Sequence, residues 1–159
     1  RGPAKGVAQA RPRGEGGVPV IVYLVRHARA GHRRQWDGDD TLRPLDERGR
    51  RQAELLVGQL EGREVGRIAS SPYTRCVDTV VPLAQARSLE LEATDALAEG
   101  TTARDALELF ASAQVPLVAS VHGDLVEDLL GESAKKGETI ILEVEDGEVR
   151  VLERWPPQA

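Results

Sequence analysis

The 159-residue chain has no methionine and a single cysteine, Cys76. One thiol cannot close an intrachain disulfide, so the core alone must hold the fold, and a reducing compartment, the cytoplasm, is the expected setting. No apolar stretch approaches the ~20 residues a bilayer-spanning helix needs, and no membrane partner is expected. The N-terminus carries arginine but lacks the apolar segment of a secretory signal. The missing methionine, at position 1 as elsewhere, fits a chain processed or excised from something longer. Histidine is scarce too: three, at positions 27, 32 and 122. With one cysteine and three scattered histidines no metal site stands out, and neither metal nor cofactor is expected. A Gly-x-x-x-x-Gly-Lys loop, a Gly-x-Ser-x-Gly elbow and a His-Glu-x-x-His pair are all absent. A cysteine phosphatase would need arginine six positions after Cys76, where Pro82 stands. Net charge is −5. Residues 1–17 hold Arg1, Lys5, Arg11 and Arg13 against Glu15, so the remainder carries −8. That balance argues against nucleic acid as a partner.

What is present suits one domain with a sizeable core. The Gly-, Pro- and Ala-rich "RGPAKGVAQARPRGEGG" reads as a flexible tail or linker over residues 1–17, and the domain is expected over 18–159. "VPVIVYLV" predicts a strand apolar on both faces. "PLDERGRRQAELLVGQLEG" spaces Ala53, Leu56, Val57 and Leu60 as one helical face, with Gly62 as the stop. "RIAS" predicts a short strand. "SPYTRCVDTVVPLAQAR" predicts a helix with Ser71 as N-cap and Pro72 at the first helical position. A short strand at residues 89–93 and a helix at 102–113 follow. "VPLVASV" predicts a second doubly buried strand, "DLVEDLLG" a short helix, and "ETIILEVEDGEVRVLERW" a hairpin turning at Asp146-Gly147. Alternating strands and helices predict a three-layer α/β sandwich: a mostly parallel central sheet, helices on both faces and a C-terminal hairpin.

Two predicted central strands end in matched chemistry, Arg26-His27 and His122-Gly123. Ligands of open α/β sheets bind beyond the strands' carboxyl ends, so neighbouring placement would aim both imidazoles into one pocket beside Arg26. "IASSPYTRCVDT" ends at the same edge and puts Arg75 in the first turn of a helix, whose free N–H groups attract anions. Two arginines, two histidines and a helix start suit a tetrahedral dianion such as phosphate.

The motifs "LVRHARAG", "LDERGRRQAELL", "SSPYTRCVDT", "LAEG" and "VHGD" resemble, in order and spacing, the histidine phosphatase superfamily with its phosphoglycerate-mutase-like fold. The region "WDGDDTLRPLDERGRRQAE" is most similar to two small branches. These are the SixA-type phosphohistidine phosphatases and the phosphatase-like C-terminal half of two-domain Nudix hydrolases. The resemblance implies a metal-independent phosphohydrolase in which His27 is the nucleophile and becomes phosphorylated. It implies that Arg26, Arg75 and His122 hold the phosphoryl oxygens, and that Glu99 is the general acid. Arg33 is a candidate substrate contact; His32 reads as surface. Ala28 replaces the glycine common in the family. The chain lacks the insertions that roof the site in mutases, so an open site suited to a phosphoprotein or nucleotide is expected. Phosphohistidine proteins, other phosphoproteins, nucleotides and small phosphomonoesters all remain open as substrates, as does oligomeric state.

Two rival readings come from other classes. "DGDDTL" contains Asp37-x-Asp39-x-Thr41, the pattern of magnesium-dependent, aspartate-nucleophile phosphatases, but charged and irregular "AGHRRQW" precedes it where that chemistry needs a strand. The second rival is a pseudo-phosphatase module that binds phosphorylated partners without turnover.

Overall fold

A computed structural model describes residues 18–159; the tail expected over 1–17 lies outside the described residues. Six strands form one sheet: β1 (Val20–Arg26), β2 (Arg67–Ser70), β3 (Leu91–Ala93), β4 (Leu117–Val121), β5 (Thr139–Glu145) and β6 (Glu148–Trp155). Their order is β3-β2-β4-β1-β5-β6. The first four are mutually parallel, while β5 runs antiparallel to both β1 and β6. The two apolar strands therefore lie side by side at the centre, with Arg26 in register with Val121.

Four helices cover the sheet: α1 (Glu47–Gln59), α2 (Thr74–Arg87), α3 (Ala103–Ser112) and α4 (Gly123–Leu130). Strand alternation sorts the core into two layers. Tyr23 and Val25 pack with Leu56 of α1 and Leu60 at its C-cap, and with Val80 and Leu83 of α2. Val22 and Leu24 face Ala106 and Phe110 of α3 and Leu125 and Val126 of α4. Phe110 is fully buried, and removing it would cost about 3–5 kcal/mol. Among the described residues no helix is long and apolar enough to cross a membrane.

Local chemistry explains most boundaries. Asp46 caps α1 by accepting from the Gly49 amide at 2.7 Å, and Thr102 caps α3 through the Asp105 amide. Asp146 and Gly147 both take positive φ, 54° and 78°, as a two-residue turn between right-twisted strands requires. The start of α2 differs from expectation. Ser71 and Pro72 precede the helix, which begins at Thr74 with Tyr73 in the N-cap position and no side-chain cap. Ser71 is not free to cap because its hydroxyl serves other partners, described below. The third strand is shorter than expected, and α4 starts one residue earlier, directly after His122.

Candidate active site

β1 and β4 end together, and the His27 amide extends their pairing by donating to the Val121 carbonyl at 2.9 Å. His27 and His122 are both buried, with ring centroids 5.7 Å apart. Arg26, His27, Arg75, His122, Glu99 and Arg33 line one cleft of about 380 Å³. The structure thus brings together all six side chains singled out in the sequence.

The loop after His27 is bound down by two helices. The Ala28 amide donates to Thr79 Oγ1 at 2.9 Å, and that hydroxyl donates to the Arg75 carbonyl at 2.7 Å. The Arg29 amide donates to Gln52 of α1, and the Gly31 amide to Asp46. Gly49 allows this approach: a Cβ there would stand 1.9 Å from the Arg29 carbonyl oxygen. His27 Nδ1 lies 2.8 Å from the Ala28 carbonyl oxygen. A carbonyl only accepts, so Nδ1 holds the proton and Nε2 the lone pair. Burial lowers the imidazole from 6.5 to about 3. The Ala28 bond opposes that shift, and the fields of Arg75, His122 and Arg26 reinforce it.

His122 is held differently. Its Nε2 sits 2.8 Å from Ser71 Oγ, and that oxygen also accepts from the Tyr73 amide. The Tyr73 ring packs edge-on, its centroid 4.7 Å from that of His122. Burial and then Arg75 lower His122 to about 4, against the opposing pull of Glu99, Asp124 and Asp40. Both imidazoles are neutral at pH 7.

Arg75 is 1% exposed. Its guanidinium donates to the Asp40 carbonyl at 2.8 Å, Asp40 Oδ2 at 3.2 Å and Glu99 Oε1 at 3.3 Å. Arg26 folds over the start of α4, where a Cβ on Gly123 would meet its Cζ at 2.8 Å, and Nη1 donates to the Ala134 carbonyl. The Nε atoms of Arg26 and Arg75 are buried without a partner among the described residues. Arg33 is mostly exposed yet donates to both Glu99 oxygens at 3.1 Å. Glu99 Oε1 is 4.0 Å from His122 Nδ1.

Sequence reading missed Asp40, Thr79, Ser71, Arg43 and Lys136. Asp40 joins three arginines, accepting also from Arg43 Nε at 2.9 Å and lying 3.4 Å from Arg33. Burial raises its carboxyl, but the Arg43 bond and the fields of Arg75, Arg43 and Arg33 outweigh that and hold it below the ordinary value. Only its place in an acidic run hinted at a role. Asp37 and Asp39 do not reach the cleft lining. A 3-10 turn, Arg33–Gln35, precedes them rather than a strand, and the Asp39 carboxylate accepts from the Thr41 amide and hydroxyl. The described residues contain no group of three or more acidic, His or Cys side chains that could hold a metal ion.

These features define a class: a three-layer α/β fold with a cationic, histidine-bearing cleft at the carboxyl ends of its central parallel strands. The chain belongs to the histidine phosphatase superfamily (branch 1), which matches residues 22–135. It is 34% identical over 147 residues to the 8-oxo-(d)GTP phosphatase of Mycolicibacterium smegmatis, covering 80% of this chain and 45% of that protein's length. Among solved structures, the protein histidine phosphatase SixA complexed with tungstate matches with a TM-score of 0.70 at 20% identity, over 86% of this chain and 97% of that one. The mycobacterial glucosyl-3-phosphoglycerate phosphatase matches with a TM-score of 0.67 at 17% identity, over 89% of this chain and 100% of that one. The two structural likenesses concern the fold.

Proposed function

We propose that the protein is a metal-independent phosphohydrolase working through a phosphohistidine on His27, with a phosphoprotein or a nucleotide as substrate. The observation that carries this reading is the tautomer of His27. Its proton is tied to the Ala28 carbonyl, which leaves the Nε2 lone pair for phosphorus in a cleft lined by Arg26, Arg75 and His122. Nε2 attacks phosphorus, and the bond to the leaving group breaks with its electron pair. Glu99, in the cleft lining, gives the leaving group its proton. A water then attacks the phosphohistidine, returns a proton to Glu99 and releases phosphate with His27 restored. Arg26, Arg75 and His122 hold the non-bridging oxygens as their charge redistributes.

The fold is shared with a phosphatase captured with tungstate, a tetrahedral oxyanion like phosphate. Nucleotide chemistry is supported by the M. smegmatis relative, of whose length this chain matches 45%. The test is turnover of an aryl phosphate in EDTA, with trapping of labelled enzyme. A label stable in base and lost in acid, absent from His27→Ala, is expected. Phosphate binding without turnover would instead favour a non-catalytic module, and turnover only with added magnesium an aspartate nucleophile.

A further inference from the structure

Five cations line the cleft, Arg26, Arg33, Arg43, Arg75 and Lys136, against two carboxylates, Glu99 and Asp124, in a chain whose net charge is −5. These two, and the neighbouring Asp40, all have partners other than Lys136. Glu99 is bonded by Arg33 and Arg75, Asp124 accepts from the Gly100 and Leu125 amides, and Asp40 pairs with Arg43, Arg75 and Arg33. None serves Lys136, which has no hydrogen-bond or ion-pair partner among the described residues.

Its backbone is nevertheless closely fixed. Lys136 lies in a turn closed by the Glu138 amide on the Lys135 carbonyl, and by the Lys135 amide on Glu138 Oε1. The next residue, Gly137, takes φ +86° and donates its amide to the carbonyls of Arg26 and His27 at 3.1 and 3.0 Å. Burial lowers the Lys136 ammonium, and Arg26, Arg43, Arg29 and Arg75 add to the effect. A partly desolvated cation among arginines is unfavourable until an anion joins it. One phosphoryl group has three non-bridging oxygens, for which Arg26, Arg75 and His122 already suffice. A further unpaired cation therefore calls for a further anionic group.

We propose that Lys136, with Arg43 beside it, forms a second anion subsite adjoining the phosphoryl pocket, so that the cleft prefers a diphosphate or longer polyphosphate chain, the class containing nucleoside di- and triphosphates, over an isolated phosphomonoester. This rests on the reading of the cleft as a phosphoryl site.

Calorimetric titration of the whole chain with inorganic phosphate and with pyrophosphate, at matched ionic strength, tests it. The wild type is expected to bind pyrophosphate about tenfold or more tighter than phosphate, the effect of one charge-assisted contact. Lys136→Ala should cut that ratio to within about threefold, and Lys136→Arg should retain most of it. Equal binding of the two anions by the wild type, or an unchanged ratio in Lys136→Ala, overturns the subsite. Aryl phosphate turnover by the wild type is measured alongside. Its failure with the ratios as expected would remove the phosphatase reading and leave the subsite standing.

Discussion

At the end of β1, His27 leads into a non-helical loop; at the end of β4, His122 is itself the N-cap residue of α4. Both rings are buried neutral, but their hydrogen bonds differ in kind. His27 Nδ1 meets a carbonyl, which can only accept, so its tautomer is fixed. His122 Nε2 meets the Ser71 hydroxyl, which can give or take a proton. Ser71 also accepts from the Tyr73 amide, but its oxygen keeps a second lone pair and its hydrogen can turn, so this contact serves either tautomer of His122. One strand end thus holds its imidazole in a single tautomer and the other does not, from the same residue type at equivalent positions. Context, not composition, divides the labour.

The largest test of this division is substitution of each ring. His27→Ala should lose about 10³-fold or more in kcat together with the covalent label. His122→Ala, removing one oxyanion donor, should lose about 10²–10³-fold yet still form the label. Equal labelling failure in both would erase the distinction.

Next is Gly123→Ala, which pushes a methyl against the Arg26 guanidinium. A fall of roughly tenfold in kcat/KM is expected, with thermal denaturation showing whether the fold survives.

Thr79→Val addresses the β1 side. It strands the buried Ala28 amide and should destabilise the protein by about 1–3 kcal/mol in urea unfolding. The same measurement on Ser71→Ala, which takes a partner from both the Tyr73 amide and the buried His122 ring, should show a comparable loss of about 1–3 kcal/mol.

The last test is the pH dependence of stability. Folded values of about 3 for His27 and about 4 for His122 lie below the usual 6.5. The unfolded chain therefore binds protons first as pH falls. The stabilisation is complete above pH 6.5 and declines toward pH 4 and 3, by at most about 1.4 kcal/mol per pH unit for each ring. Replacing either ring with Gln should flatten the fall in melting temperature between pH 6.5 and 4.

Much of this cleft was legible because strand endings are. An apolar run that stops at Arg26-His27, and another that stops at His122-Gly123, announce polar groups at the sheet's edge. Alternation of elements points to a parallel sheet but leaves open which strands adjoin; the observed order sets β1 beside β4. What the sequence hid was every partner chosen by tertiary packing. Ser71 looks like a cap because local rules favour it before proline, but the nearby imidazole claims its hydroxyl. Thr79 reads as one more polar residue on α2 until the loop after His27 folds against it. Asp40 lies in a run that scans as solvated acid, and only the convergence of Arg33, Arg43 and Arg75 gives it a role. Lys136 sits between ordinary turn residues, with no local pattern to mark it.

The reversal of β5 has a structural consequence of its own. Because that strand runs against β1, its beginning rather than its end abuts His27, and the Arg26 amide donates to the Glu138 carbonyl there. The polypeptide thus returns to the reactive rim by a turn that enters a strand instead of leaving one. Residues inserted or exchanged ahead of Gly137 would reshape the rim while leaving the strand that carries His27 in register, so the shape of this wall can drift independently of the residues it encloses.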